Sequence, residues 1–477
     1  MTFRLYSIIK SWKVLSIIIA ICFTMPVVAA GAENQKELKK ISAKELNQLE
    51  VRATEARKLF HAGQFEQAID IYNLLIADMT VNSPLYLCEL GTCYWAVGDI
   101  DKAKRIFMQT EVLLRGFYDA KSEKKAVSLW GAESSKVYKG DPYERSCLYL
   151  FLGLLLLDSG DVDNALACFK SAQLADSDVV NQLYRSDFGL LQLLEAYCYS
   201  WRDQDDMHAR SIELALSSFQ QTHPQVKPIM GRKQELLKQV QNNKKASEKE
   251  KKDVADKLKN IDKELAESIS TLKMSYCKPI QENFNTLLLL WTGKSPVKQR
   301  YGQYGENRAI VKAPNTEANH YEFLIDDLVW MDEIKGFADI AHQATTRGGR
   351  QMDNVLASQA AFKGFSDSFG DSLIDSADDV GGYGGLAILA VGLIAKGIAA
   401  ATKVEADIRC WRLLPEELIL VPLNLKTGSH KIKIAHYDLI LKKRAYEIEA
   451  NISEEKPLNV ILVIPPVVVK NKKGQKI

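Results

Sequence analysis

Three times between Ala53 and Ala175 the chain turns on the same short pattern, and that recurrence limits its fold more than any other feature. The turns read Ala62-Gly63-Gln64-Phe65, Val97-Gly98-Asp99-Ile100 and Ser159-Gly160-Asp161-Val162. Five residues after each turn glycine stands an alanine (Ala68, Ala103, Ala165), and four further on a ring (Tyr72, Phe107, Phe169). A small residue precedes each turn: Ala56, Gly91, Gly153. Small residues let two helices approach closely, the ring fills the gap between successive pairs, and glycine permits the tight connection. Such a pair cannot bury its apolar face alone, so the units must stack. An array of this kind binds or scaffolds something.

The first two turn glycines are 35 residues apart, and the second and third 62 apart. The shorter spacing is close to a period of about 34, which leaves roughly 28 residues inserted before the third unit. With Leu90-Gly91-x-x-Tyr94 before the second turn and Ala103-x-x-x-Phe107 after it, the pattern resembles tetratricopeptide repeats (TPR). The family's usual first-helix tryptophan and repeat-end proline are missing. The resemblance implies a concave face lined by first-helix residues, with Arg57, Phe60, His61, Thr92 and Trp95 as partner contacts. The insertion, 116–143, holds Trp130-Gly131 and ends Tyr138-Lys139-Gly140-Asp141-Pro142-Tyr143; it is expected to pack over the array. Leu148 to Leu157 is apolar on every side, so it must be buried all round. Another part of this chain, or an obligate partner, is expected to cover it. A fourth, degenerate pair spans 185–220, keeping Leu194, Ala196 and Tyr197 but no turn glycine; Gln204 and Asp205 are placed at that turn.

Beyond the array the periodicity changes. From Ser247, which opens a capping box with Glu250, Val254, Leu258, Ile261, Leu265, Ile269 and Leu272 recur at helical spacing, which predicts a charged helical hairpin or short coiled coil. Thr286–Trp291, Arg308–Lys312, Tyr321–Ile325, Leu418–Val421, Lys431–His436, Tyr446–Asn451 and Asn459–Ile464 read as strands. Leu328–Ala344 and Gln351–Ile374 read as amphipathic helices. Asp326-Asp327 and Glu416-Glu417 are read as solvated turn or helix-start residues. Leu386–Ala401 is the most hydrophobic stretch after the N-terminus. With about 16 residues and Lys396 inside, it is short of the roughly 20 that span a bilayer. A core helix and a membrane-associating helix both fit it. The predicted class is α+β: an N-terminal TPR-like α-solenoid (33–225), a helical hairpin (226–280), a C-terminal α+β domain with a small antiparallel sheet or sandwich (281–470), and a basic tail (471–477).

Residues 1–32 read as a secretory signal. Arg4, Lys10 and Lys13 precede an apolar run from Val14 to Phe23, and Ala30-Gly31-Ala32 has the small-x-small form that signal peptidase requires. Ile19-Ala20-Ile21-Cys22 lacks a small residue before the cysteine, which argues against lipidation. Seven cysteines follow the signal, with no C-x-x-C, and most fall at apolar helical positions as small core residues. The 62 basic and 60 acidic residues leave a net charge of +2, too even for a nucleic-acid-binding face. The seven histidines show no metal spacing, and no Ser/His/Asp or Cys/His set is suggested. Gly381–Gly385 lacks the lysine and serine of a phosphate loop. No catalytic, metal or cofactor residue is assigned.

Three motifs recur in a wider resemblance. They are Tyr138 to Arg145, Gly293 to Lys298, and Asp407-Ile408-Arg409-Cys410-Trp411-Arg412-Leu413-Leu414-Pro415. With the signal, the repeats and the hydrophobic glycine-rich stretch, they make the chain similar to a poorly characterised bacterial family of envelope TPR proteins, many of them lipoproteins. That resemblance implies an envelope address and a non-enzymatic role. The expected function is a periplasmic or secreted scaffold that binds an envelope protein. The second reading is a membrane-associating or secretion-associated component that uses 385–403, with Lys396, Arg409 and Trp411 at the membrane.

Overall fold

Four helix pairs open the computed structural model. It describes residues 39, 41–118, 137–177, 188–222, 226–242, 248–272, 284–301, 307–311, 317–326, 328–331, 338–346, 406–438, 443–456 and 458–464. The pairs are α1 (Ala43–His61) with α2 (Phe65–Ala77), α3 (Ser83–Ala96) with α4 (Ile100–Tyr118), α5 (Pro142–Asp158) with α6 (Val162–Ser177), and α7 (Gly189–Trp201) with α8 (Asp205–Thr222). Each repeated residue has the expected job. Gly63, Gly98 and Gly160 hold φ of 78°, 81° and 81°, the left-handed conformation that closes each turn. A Cβ on Gly91 would stand 2.5 Å from the Phe107 ring, and one on Gly153 2.5 Å from Phe169. Ala56, Ala68, Tyr72, Ala103 and Ala165 are fully buried, and Tyr94 packs against the same core.

The fourth pair is present without glycine. Its turn residue is Asp203, at φ 55°, rather than Gln204 or Asp205. Aspartate tolerates the left-handed region because its short polar chain bonds locally. Two helices start on capping boxes: Ser42 with Glu45 opens α1, and Asp141 with Glu144 opens α5. Of the inserted segment, 119–136 lies outside the described residues. Tyr138 packs back on the array, its N–H donating to the Val81 carbonyl at 2.8 Å.

A charged hairpin follows, α9 (Lys227–Asn242) and α10 (Glu248–Leu272). Arg232 pairs with Glu264 at 2.6 Å and Lys233 with Asp262 at 2.7 Å, while Ile261 is the buried residue of the α10 seam.

The C-terminal strands form two four-stranded sheets. β1 (Thr286–Thr292) lies between β10 (Asn459–Val463), its parallel neighbour, and β7 (Glu417–Leu423), its antiparallel one; the short β6 (Ala338–Asp339) flanks β7. The second sheet is antiparallel, in the order β5 (Leu328–Met331), β4 (Glu317–Ile325), β8 (Gly428–Asp438), β9 (Lys443–Ile452). β2 (Val297–Tyr301) and β3 (Asn307–Val311) make a separate hairpin. Side chains alternate along a strand, so the two faces of the first sheet serve different cores. Leu288, Leu290, Ile419, Val421 and Leu423 pack against Phe323, Ile325, Ile432 and Ile434 of the second sheet. Leu287, Leu289, Trp291, Leu418 and Leu420 join the core of the helical array. β1 is buried on both faces, which explains its unbroken apolar run. The result is three layers: helical array, sheet, sheet.

Two expectations are corrected. Leu328–Ala344 is no continuous helix: it begins as β5, and α11 covers only Ile340–Thr346. Asp326, at φ 50°, turns the chain so that Leu328 pairs with Ile325 in a tight hairpin. Glu416 and Glu417 are buried at the start of β7 rather than solvated. Residues 351–405, with Gln351–Ile374, Gly381–Gly385 and Lys396, lie outside the described residues, as do residues 1–32 and the basic tail. Residues 40–477 form one compact unit.

Candidate functional site

The concave side of a TPR-like array is where a partner segment would be read, and here it is filled by the chain itself. The filling segment is 406–416, which leads into β7. Two buried glutamates on the first helices of their pairs receive it. Glu89 on α3 accepts Arg57 Nε at 2.8 and 3.1 Å, the Tyr72 hydroxyl at 3.0 Å and the Arg412 backbone N–H at 3.1 Å. Burial pushes the Glu89 carboxyl up, and the Arg57 guanidinium pulls it back. Burial likewise drives the Tyr72 hydroxyl well above its ordinary range, so it donates. Glu144 on α5 accepts the Trp411 backbone N–H at 2.6 Å and the Tyr138 hydroxyl at 2.7 Å.

The three motifs noted in the sequence meet at Glu144. Lys298, on β2 and only 4% exposed, donates to Glu144 Oε2 at 2.9 Å and to the Arg409 carbonyl at 2.8 Å, and lies 3.0 Å from Asp141 Oδ2. Ser295 Oγ donates to the Trp411 carbonyl at 2.9 Å. Arg409 is held by Asp407 at 2.8 to 2.9 Å and donates to Asn82 Oδ1 at 2.8 Å, its guanidinium 5.7 Å from the Tyr138 ring centre. A buried ammonium with two carboxylates and a carbonyl is paired as the low dielectric demands. Asp158, the last residue of α5, provides a second lock: it accepts the Val460 N–H of β10 at 3.0 Å and Lys456 Nζ at 2.7 Å.

Between these polar locks sits an aromatic cluster. Trp411, fully buried, is 5.5 Å from Phe151 and 5.9 Å from Phe107, ring centre to ring centre. Trp291 of β1 is 5.0 Å from Phe151 and 6.4 Å from Trp95, and Trp95 is 5.4 Å from Phe151. Edge-on and tilted contacts at these distances are the favoured arrangement of aromatic pairs. The cover over Leu148–Leu157 is therefore this chain's own Trp411 and first sheet.

The expected contact residues meet this cover or their own helix pair. Trp95 is in the aromatic cluster. Arg57 is committed to Glu89 and to Glu50. Thr92 is buried, its hydroxyl donating to the Cys88 carbonyl at 3.0 Å. Phe60 is buried against Phe65, within the first pair rather than on the groove. His61 is half-buried beside Phe60, and burial, with the charges of Lys294 and Arg57, lowers its pKa to about 4. The placing of Arg409 and Trp411 at a membrane is corrected: Trp411 is in the core and Arg409 is bound to Asp407 and Asn82. Cys88, Cys93, Cys147, Cys198 and Cys410 are buried, and Cys168 is half-buried. Among the described residues there is no cluster of three or more His, Cys, Asp or Glu side chains that could hold a metal ion, and no helix long and apolar enough to cross a membrane.

Sequence reasoning singled out the motifs but not the roles of Glu89, Glu144, Lys298 and Asp158. The signal for Glu144 was present, since Asp141-Pro142-Tyr143-Glu144 is a capping box opening an apolar helix. Glu89 and Lys298 carry no such mark, because decisive partners are distant in sequence: Arg412 is 323 residues from Glu89, and Arg409 and Glu144 are 111 and 154 residues from Lys298.

Stacked antiparallel helix pairs, glycine turns and small residues under rings define a helical-repeat protein whose groove is closed from within. The tetratricopeptide-repeat family model matches residues 148–178, the greater part of α5 and α6. The chain thus contains a tetratricopeptide repeat at these residues. One solved structure, "MamA MSR-1 C2", aligns at 18% identity over 36% of this chain and 98% of its own, with a TM-score of 0.20. No curated protein matches.

Proposed function

We propose that this protein is an exported, non-enzymatic interaction scaffold of the cell envelope, and that it meets its protein partner mainly through the outer helices of its array. The carrying observation is the filled groove. Large apolar side chains stand exposed on the second helix of every pair: Leu74 on α2, Met108 and Val112 on α4, Leu174 on α6, Met207 and Leu214 on α8; on the first helices Val51 of α1 and Trp201 of α7 are exposed as well. Leu74 and Leu174 are 67% and 73% exposed. Exposed apolar residues that recur on all four second helices are what a docking face needs. The envelope address rests on the signal-like N-terminus.

The test is photo-crosslinking in cells from positions beside Leu74 and Leu174, comparing the native chain with a Leu74→Glu/Leu174→Glu double variant. A defined adduct that disappears in the variant, with melting unchanged, supports the reading. An adduct unaffected by both substitutions overturns the outer face as the site. Recovery of an uncleaved chain in the cytoplasm overturns the address. The membrane reading, through 385–403, is separated by flotation with anionic liposomes: a floating native chain and a non-floating 385–403 deletion would favour it over a soluble scaffold.

A further inference from the structure

Where the filling segment leaves the groove, a cavity of about 240 Å³ remains between α1, α3 and residues 408–412. It reaches the surface at Asn47. Leu46, Leu85 and Ile408 supply apolar wall, and Arg57, Arg409 and Arg412 bring three cationic side chains to it. Two of the three are committed, Arg57 to Glu89 and Glu50, Arg409 to Asp407 and Asn82. Glu50 lines the same cavity, and its carboxylate is turned to Arg57 Nη1 at 2.5 Å. Arg412 differs. Its backbone N–H is held by Glu89, but its side chain, half-buried, has no hydrogen bond or ion pair among the described residues.

We infer that this cavity takes an acidic side chain, flanked by an apolar residue, from the protein partner, with Arg412 as the group that reads the carboxylate. The inference rests on the scaffold reading above. A guanidinium held at its base by a fixed backbone offers a ready fork for a carboxylate. The volume lies below the roughly 300–1,000 Å³ of small-molecule and cofactor sites, so it suits one or two side chains. The apolar wall suits a carboxylate on a hydrocarbon stem better than a bare inorganic anion. The groove thereby keeps one open end although its middle is filled in cis.

The probes are the peptides acetyl-Leu-Glu-Leu-amide and acetyl-Leu-Gln-Leu-amide. They are titrated into the full exported chain and followed by NMR shifts of the protein. Saturable binding of the glutamate peptide, at least tenfold tighter than the glutamine peptide, is expected. That ratio is about 1.4 kcal/mol. Arg412→Gln keeps the backbone N–H to Glu89 and leaves melting unchanged; in it the two peptides bind alike. Equal binding of both peptides to the native chain, no binding of either at millimolar concentration, or undiminished discrimination by Arg412→Gln overturns the inference. If the crosslinked adduct persists while discrimination is absent, the cavity fails and the scaffold reading stands. Loss of the adduct reading with discrimination intact has the opposite meaning.

Discussion

Asp203 holds φ 55° at a turn whose three counterparts are glycine. Glycine removes the Cβ strain of the left-handed region but costs entropy, so Asp203→Gly should raise stability by about 0.5 kcal/mol, read from urea unfolding. Gly153→Ala should go the other way. Its methyl would meet the Phe169 ring at 2.5 Å inside a close-packed core, a loss of about 1–3 kcal/mol. These two substitutions separate a turn glycine, chosen for backbone conformation, from a helix glycine, chosen for space. His61 adds a pH dependence. Its folded pKa of about 4 lies below the ordinary 6.5, so between those values the unfolded chain binds more protons. Its contribution to stability is complete above pH 6.5 and is lost as pH falls toward 4, at most about 3 kcal/mol at 1.36 kcal/mol per pKa unit. His61→Gln should flatten that part of the stability–pH curve, measured by denaturant midpoints; an unchanged slope would show that His61 is neither buried nor near Lys294 and Arg57.

At the level of elements, what could be read in the sequence depended on how local the interaction is. The helix pairs were legible because Gly91, Ala103 and Phe107 act within one hairpin. The strands were legible from β-branched and leucine runs. Leu328–Ala344 was misread because Trp330, Met331, Ile334, Phe337 and Ile340 have helical spacing, while the hairpin at Asp326 is decided by pairing with Phe323 and Ile325. The cover of α5 could be inferred from its uniform apolarity, but its identity could not, because Trp411 reaches Glu144 across 267 residues. That lock makes its own prediction. Lys298→Met removes the ammonium and leaves Asp141 and Glu144 buried without it, which should cost about 3–5 kcal/mol. Trp411→Ala opens a cavity among Phe107 and Phe151 for a similar loss of about 3–5 kcal/mol. Both are read from chemical denaturation. Lys298 holds the Arg409 carbonyl, two residues before Trp411, so both substitutions loosen the same segment and their double variant should cost less than the sum.

For the whole molecule, the first sheet is the shared layer. Its odd leucines of β1 belong to the helical core and its even ones to the sheet-on-sheet core. A fragment of residues 40–222 would expose Trp95, Phe151 and the apolar α5, and is expected to oligomerise and to bind a hydrophobic dye more strongly than the intact chain does. A monomeric, dye-silent fragment would mean that the array is complete without its cover. The cover is also what moves the proposed partner face outward to Leu74 and Leu174, with a cavity left at the Arg412 end of the groove. Hydrogen exchange of the Trp411 and Arg412 amides tests this most directly. Bound to Glu144 and Glu89 in the filled groove, they should exchange only with global unfolding, as slowly as the core amides of α5. Exchange of those two amides at the rate of an exposed peptide would show an open groove and contradict the account.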